Sequence, residues 1–511
     1  MRLLLLLLIS AGAFAQKPID IIHYNYDISV SDSNDNIKCR AIITFKTNTK
    51  KISFDLAGSM IVSGVLNESN YQLTHTHSGD KLTIELNETT DSIVVIHYKG
   101  IPKDGLIISK NKYGQRTFFS DHWPNRAHEW LACNDHPSDK ASVDFFVSAP
   151  VHYQVVANGI QVEETNINSK YKLTHWSQAT EIPMKVMCVG ISEFAVNYTG
   201  DVNNIPVYSW VFPENRLEGF YDYEEALEIL PFFIKNIGAY PYKQLSNIQS
   251  KTIFGGMENA GAIFYSEKSV TGNKQAGQLI AHEIAHQWFG NSVTESDWPH
   301  VWLSEGFATY MELMYIENKY GRDTLVQELI TNRNKVIAYS KVSNNPVVDT
   351  AVKDYMKLLN ANSYEKGGWV LHMLRRQIGD SLFWKGLRKY YADYAGKNAI
   401  TDDFRKVMEE VSERDLTSFF KQWLFTPGHP VLHINHAYDA SKKTLTVTIT
   451  QQQSNLFEFP ITIQIVGTGD DSITKSLRVK DKQTQFTVQL QSPPQRVIAD
   501  PLTSLLFEEV K

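Results

Sequence analysis

Between His23 and about Val196, apolar positions recur at every second residue: Tyr24, Tyr26, Ile28 and Val30, then Ile52, Phe54 and Leu56, then Leu82, Ile84 and Leu86. Successive side chains of an extended chain point to opposite faces, so this rhythm predicts short strands with one buried face. Turn-forming runs such as residues 31–36 separate them, and together they predict an antiparallel saddle or sandwich. The period changes after Tyr208. Tyr221, Leu227, Leu230, Phe233 and Ile237 share one face of a helix predicted over 217–237. Further helices are predicted over 275–289, 301–320, 323–339, 364–378, 380–394 and 401–424, the last broken near Ser412. Gly428-His429-Pro430 ends this stretch. Alternation then returns at Leu445, Val447 and Ile449, at Ile461, Ile463 and Ile465, and at Phe486, Val488 and Leu490. The expected architecture is a multidomain α+β chain. It has an N-terminal antiparallel β domain (16–205), a mainly helical middle domain (206–430) and a small C-terminal β-sandwich (431–511).

Length agrees, since 511 residues exceed what one core holds. A net charge of -6 gives no basis for a nucleic-acid partner. At the start, Arg2 precedes an apolar run from Leu3 to Ile9, and Ala13-Phe14-Ala15 has the small-x-small form of a cleavage site. Residues 1–15 therefore read as a signal peptide. The expectation is export to the periplasm or outside the cell, with no stable membrane insertion after cleavage. Three cysteines, Cys39, Cys133 and Cys188, allow one disulfide without selecting the pair. Small buried hydrophobes are the ordinary alternative.

Chemistry concentrates in the middle domain. His282, Glu283 and His286 form H-E-x-x-H inside an apolar, helix-favouring run. Positions i and i+4 lie one above the other on a helix, so two imidazoles can reach one Zn²⁺ while Glu283 meets its water. Glu305 follows in Trp302-Leu-Ser-Glu-Gly-Phe-Ala308. Two His and one carboxylate leave a tetrahedral zinc one open position, the pattern of a catalytic site. Upstream, Gly255 and Gly256 let backbone approach a ligand closely, and Glu258 stands beside them in a small, apolar strip. A substrate ammonium is one partner for that carboxylate; a solvated Glu on a glycine-rich turn is the other reading.

The strip Gly255-Gly-Met-Glu-Asn259 resembles the G-x-M-E-N signature of the aminopeptidase N family of gluzincin zinc metallopeptidases. His282 to Asn291 and Trp302 to Ala308 are similar to its zinc motifs, with 18 residues from Gln287 to Ser304, and Tyr364-Glu-Lys-Gly367 resembles its downstream tyrosine motif. All four occur in the family's order. The resemblance implies a thermolysin-like middle domain binding one Zn²⁺ through His282, His286 and Glu305. It implies Glu283 as general base towards a metal-activated water and Tyr364 as donor to the oxyanion. Glu258 would hold the free α-amine of a peptide, with Gly255, Gly256, Met257 and Asn259 in the substrate-binding strip. The implied partners are peptides with a free N-terminus. Family members often add a second polar residue from the β domain to the amine. Here Trp123 falls near that place, so the helper is missing or comes from Asp121. Many relatives continue with a large helical domain, whereas this chain stops after its β module, which implies a more open site or one covered by a partner. A thermolysin-type endopeptidase and a zinc-binding module without turnover are the competing readings. The first is disfavoured by the strip, the second by Glu283 and Tyr364.

Overall fold

Each strand of the first third has one apolar face to hide, and the sheets stack accordingly. In the computed structural model, which describes residues 19–90, 92–467 and 472–510, Ile19–Ser29 buries Ile21, Tyr24, Tyr26 and Ile28. The leader called at 1–15 lies outside the described residues. Ile19–Ser29 sits in a seven-stranded sheet between Ile37–Thr47 and Lys140–Pro150. Its pairing with Lys140–Pro150 is parallel, an exception among described N-terminal strands that otherwise pair antiparallel, as expected. A parallel neighbour needs a long crossover, and the chain supplies one by building other strands before it returns. A four-stranded sheet holding Arg116–Ser120 and Val189–Ser192 faces the middle of the chain, where Phe119 meets Phe264 edge to face at 5.4 Å.

The middle unit has a five-stranded sheet of its own, in the order Ala195–Val202, Ile205–Val211, Leu245–Ser250, Ala262–Ser266, Gly256–Met257. The boundary expected at 205 falls inside the hairpin of the first two strands, and we propose Ala195 as the start of this unit. Around the sheet lie α1 (Arg216–Tyr223), α2 (Ala226–Asn236), α3 (Gly277–Ala285), α4 (Trp302–Tyr320), α5 (Arg322–Ser340), α6 (Gly367–Ile378), α7 (Asp380–Tyr394), α8 (Thr401–Ser412) and α9 (Thr417–Leu424). The single helix expected over 217–237 is two. Pro231 cannot donate to the Leu227 carbonyl, and the preceding turn tightens into i→i+3 bonds from Leu227 to Glu224 and from Glu228 to Glu225. The helix expected to 289 stops at Ala285 and runs on as a turn.

Beyond Leu424, two sheets face each other as a sandwich. Val431–Asp439 and Thr444–Gln451 belong to the four-stranded one, Phe459–Val466 to the three-stranded one. The three cysteines are all buried, and none is in a disulfide.

Candidate active site

α3 is apolar along its length and wholly buried from Ile280 onward, so it lies under the sheet with His282 on its last turn and His286 just past its end. Glu305 sits in the first turn of α4, which packs beside α3. The donor atoms converge. His282 Nε2 is 3.1 Å from His286 Nε2, and Glu305 Oε2 is 3.6 Å and 3.3 Å from the two. Zinc bonds of about 2.0–2.1 Å in a tetrahedron put donors about 3.3–3.4 Å apart, and the three atoms have close to the spacing that one face of such a site requires.

The outward ring nitrogens are also occupied. His282 Nδ1 lies 2.8 Å from Glu312 Oε2, whose other oxygen accepts from Gln278 Nε2 at 2.9 Å. His286 Nδ1 is 3.1 Å from the Phe289 carbonyl and 3.1 Å from Ser304 Oγ. Acceptors on Nδ1 fix the tautomer that turns Nε2 inward, the usual device for orienting a metal-ligating histidine. Burial works against charge on His282, but hydrogen bonds to Glu305 and Glu312 outweigh it and raise its pKa. Burial likewise pushes Glu305 up, yet His286 and His282 hold it well below the usual carboxylate range. Glu283, buried between them, is pushed up to about 7 by burial, with His282 and His286 opposing.

The facing wall is the edge strand Gly256–Met257, paired on one side only, with Phe264 and Tyr265. Here a glycine is required: a Cβ on Gly256 would stand 2.2 Å from Glu283 Oε1. Glu258 follows, 5% exposed, its carbonyl held by Gln287 Nε2 at 3.1 Å and Asn291 Nδ2 at 2.6 Å. Its Oε1 is buried without a hydrogen-bond partner. Ligand atoms of Glu258, Glu283 and His286 all lie within 4.8 Å of one another. Tyr364 closes the third side, its ring stacked on His282 at 6.0 Å. It rides on one wide turn in which Lys366 N–H reaches back to the Ala361 carbonyl. That turn can approach α4 because Gly306 meets Gly367, where a Cβ would come within 2.8 Å of backbone. Burial, then the carboxylates of Glu305, Glu258 and Glu283, raise the phenol's pKa and keep it a donor.

A cavity of about 530 Å³ joins these groups. His282, Glu283, His286, Glu305, Glu258, Tyr364, Gly255, Gly256 and Met257 line it, but Asn259 does not. Its N–H instead closes a turn onto the Met257 carbonyl. Asp121 is no helper for an amine. One of its oxygens pairs with Arg126 and the other accepts from Thr252 Oγ1 and the Ile253 N–H, at 2.9 and 3.0 Å. The segment 118–140 reaches the site: Trp123 lines the cavity, and Lys140 Nζ donates to the carbonyls of Asn291 and Ser292. Glu312 and Gln278 were not anticipated. Glu312 follows Glu305 by two helical turns, on the same face of α4, and that spacing is the signal that points to it.

Residues 221–423 match the Peptidase family M1 domain, and residues 21–184 match the Peptidase M1 N-terminal domain. The chain belongs to the M1 peptidase family. Among its M1 relatives, aminopeptidase A of Gloydius brevicauda is 30% identical over 360 residues, covering 67% of this chain and 36% of that protein. Glutamyl aminopeptidase of Homo sapiens is 27% identical over 341 residues, covering 63% and 35%. The chain thus spans little more than a third of the length of these curated relatives. The crystal structure of Legionella pneumophila aminopeptidase A in complex with aspartic acid superposes with a TM-score of 0.84 at 18% identity, covering 97% of this chain and 60% of that one. At that identity the likeness speaks for the M1 fold.

Proposed function

We propose that this M1 chain is a zinc-dependent aminopeptidase that hydrolyses the first peptide bond of peptides with a free N-terminus. The observation that carries the reading is the buried carboxylate of Glu258, one oxygen of which has no hydrogen-bond partner, in the lining of a cavity that also gathers three candidate zinc donors. A buried carboxylate oxygen without a partner is costly, and a substrate ammonium removes that cost. The spacing favours exopeptidase action. From the nitrogen to the carbonyl carbon of one residue is about 2.5 Å, and each further residue adds up to about 3.8 Å. With Glu258 and Glu283 within 4.8 Å of each other, an ammonium on the first leaves room for one residue before the second.

His282, His286 and Glu305 would hold the zinc, which when bound would supply Lewis acidity towards a carbonyl and lower the pKa of water from 15.7 towards about 7. Glu283 takes the proton of the attacking water and returns it to the leaving amine. Tyr364 donates to the developing oxyanion. Glu258 fixes the substrate's amine, and the free edge of Gly255 to Met257 runs alongside its backbone. We extend the proposal to export, on the strength of residues 1–15; among the described residues no helix is long and apolar enough to cross a membrane. The name glutamyl aminopeptidase concerns those relatives, and this chain's own first-residue preference rests on the side chains lining its cavity.

The test is a set of fluorogenic aminoacyl amides, each with and without N-acetylation, assayed before and after chelation and after zinc is restored. Turnover confined to free amines, lost on chelation and recovered with zinc, is expected. Equal cleavage of acetylated substrates favours an endopeptidase, and indifference to both treatments removes the zinc-peptidase reading altogether.

A further inference from the structure

The side chain of a first residue leaves the same carbon as its ammonium. On the aminopeptidase reading, on which this inference rests, it must therefore lodge beside Glu258. Phe254 and Met257 precede Glu258 in the strip, and both line the cavity. Trp123, contributed by the N-terminal sheets, stands edge to face against Phe254 at 6.5 Å and against Trp298 at 5.9 Å, and Trp298 in turn stacks on Tyr355 at 5.3 Å. Four rings from four segments of the chain thus back one another. Trp123 is 2% exposed and its buried indole N–H has no acceptor, so what it turns to the cavity is ring carbon.

The charge of the cavity is one-sided. Apart from the two imidazoles, its ionisable lining comprises Tyr364 and the carboxylates of Glu258, Glu283, Glu305 and Glu312; among the described residues no lysine or arginine lines it. A guanidinium does lie behind the wall, with Arg126 5.8 Å from the centre of the Phe254 ring. It is committed elsewhere: Nη1 to Asp104 at 2.7 Å, Nε to the Trp123 carbonyl at 2.8 Å, and Nη2 to Asp121.

We infer that Trp123 determines the first-residue specificity: with Phe254 and Met257 it forms a pocket that accepts aromatic or large aliphatic side chains and rejects carboxylates. An apolar side chain exchanges water for ring and thioether surface. An aspartyl or glutamyl side chain loses water, meets no lysine or arginine, and enters beside the carboxylates of Glu258 and Glu312. Discrimination by repulsion is then added to discrimination by fit.

The experiment compares kcat/KM for phenylalanyl, leucyl, alanyl, glutamyl and aspartyl amidomethylcoumarins, using the zinc-loaded full chain as wild type, Trp123→Ala and Trp123→Phe. In the wild type, the phenylalanyl and leucyl substrates are expected to exceed alanyl by at least about tenfold, and the two acidic ones to fall below leucyl by at least about 100-fold. Trp123→Ala is expected to cut the phenylalanyl-to-alanyl ratio by at least about tenfold, and Trp123→Phe to retain most of it. Both substrates are read in one sample, so a partly folded preparation cancels from the ratio. Acidic substrates turned over as fast as leucyl overturn the inference, as does a ratio that Trp123→Ala leaves where it was. Turnover of none of the five by the wild type removes the aminopeptidase reading itself, whereas brisk turnover in the wrong order removes only the role given to Trp123.

Discussion

The two walls of the cavity differ in how their polar atoms are partnered. On the α3–α4 wall, His282, His286 and Glu305 face one another at 3.1–3.6 Å, and each imidazole has a second acceptor behind it. On the strip wall, Glu258 has a firmly bonded carbonyl and a carboxylate oxygen with nothing on it. A network that is complete except at its centre suits a small ion that stays. An unpartnered carboxylate oxygen just past a short edge strand suits a ligand that comes and goes. On the proposed function, the difference separates what would hold the catalyst from what would hold the substrate, and substitutions on the two walls are expected to fail in different ways.

The largest effects belong to the α3–α4 wall. Removing zinc is expected to abolish turnover. Glu283→Gln is expected to lower kcat by about 10²–10⁴-fold, the range for loss of a general base, while one zinc per chain remains by atomic absorption. If the variant keeps its rate, proton transfer belongs to another group.

Next comes Glu258→Ala on the strip. Truncating one partner of a buried charge pair costs about 2–5 kcal/mol, read here as a fall in kcat/KM on free aminoacyl substrates with zinc content unchanged. The two walls are then separable: one variant fails in chemistry, the other in recognition of the amine. Unchanged kinetics on a free aminoacyl amide removes Glu258 from its role.

Gly256 is where the walls touch, and Gly256→Ala tests that contact. The new methyl carbon would lie 2.2 Å from Glu283 Oε1 and 2.5 Å from its Cδ, so the base must move. Overpacking of this kind costs about 1–3 kcal/mol, expected mainly in kcat. A rise in KM alone would mean that the strip, and not the base, gives way.

The sequence made some of this legible and left other parts hidden, for physical reasons. Strands were visible because each buries one face, but alternation carries no direction, so the parallel pairing of Ile19–Ser29 with Lys140–Pro150 was not. Helical spacing marked 217–237 as apolar on one face without registering what Pro231 removes from its first turn. At the site, i,i+4 spacing and short motifs drew attention to the residues that line the cavity. The acceptor behind His282 was missed because a hydrogen bond between helices has no local pattern, although Glu305 and Glu312 share a face of α4. Asn259 stood in the motif yet points its N–H into a turn. Trp123 stood out only because it falls near the family's place for a second amine-binding residue, and its contacts with Phe254 and Trp298 arise from tertiary packing.

The smallest effect on activity is expected from what stands behind the strip wall, and it sharpens the contrast in charge. His122, next to Trp123, is 1% exposed; its Nε2 accepts from Trp130 Nε1 at 3.0 Å and its Nδ1 faces the Met184 carbonyl at 3.3 Å. Burial lowers its pKa to about 3, with the Met184 carbonyl opposing and Arg126 reinforcing. His282 and His286 sit among carboxylates and are raised; His122 is buried with Arg126 as its charged neighbour and is lowered. Released on unfolding, its ring regains a pKa near about 6.5. Between that value and about 3 the unfolded chain therefore binds one more proton at this position than the folded chain. Its contribution to stability is complete above about 6.5 and is lost as pH falls, by up to about 1.4 kcal/mol per pH unit. His122→Gln is expected to flatten the pH dependence of unfolding between pH 6 and 4 by up to that slope, followed by urea denaturation with tryptophan fluorescence. It should leave the ranking of aminoacyl substrates as it is. A slope that stays the same places the acid sensitivity elsewhere, and a changed ranking would mean that the frame behind Trp123 takes part in choosing the substrate.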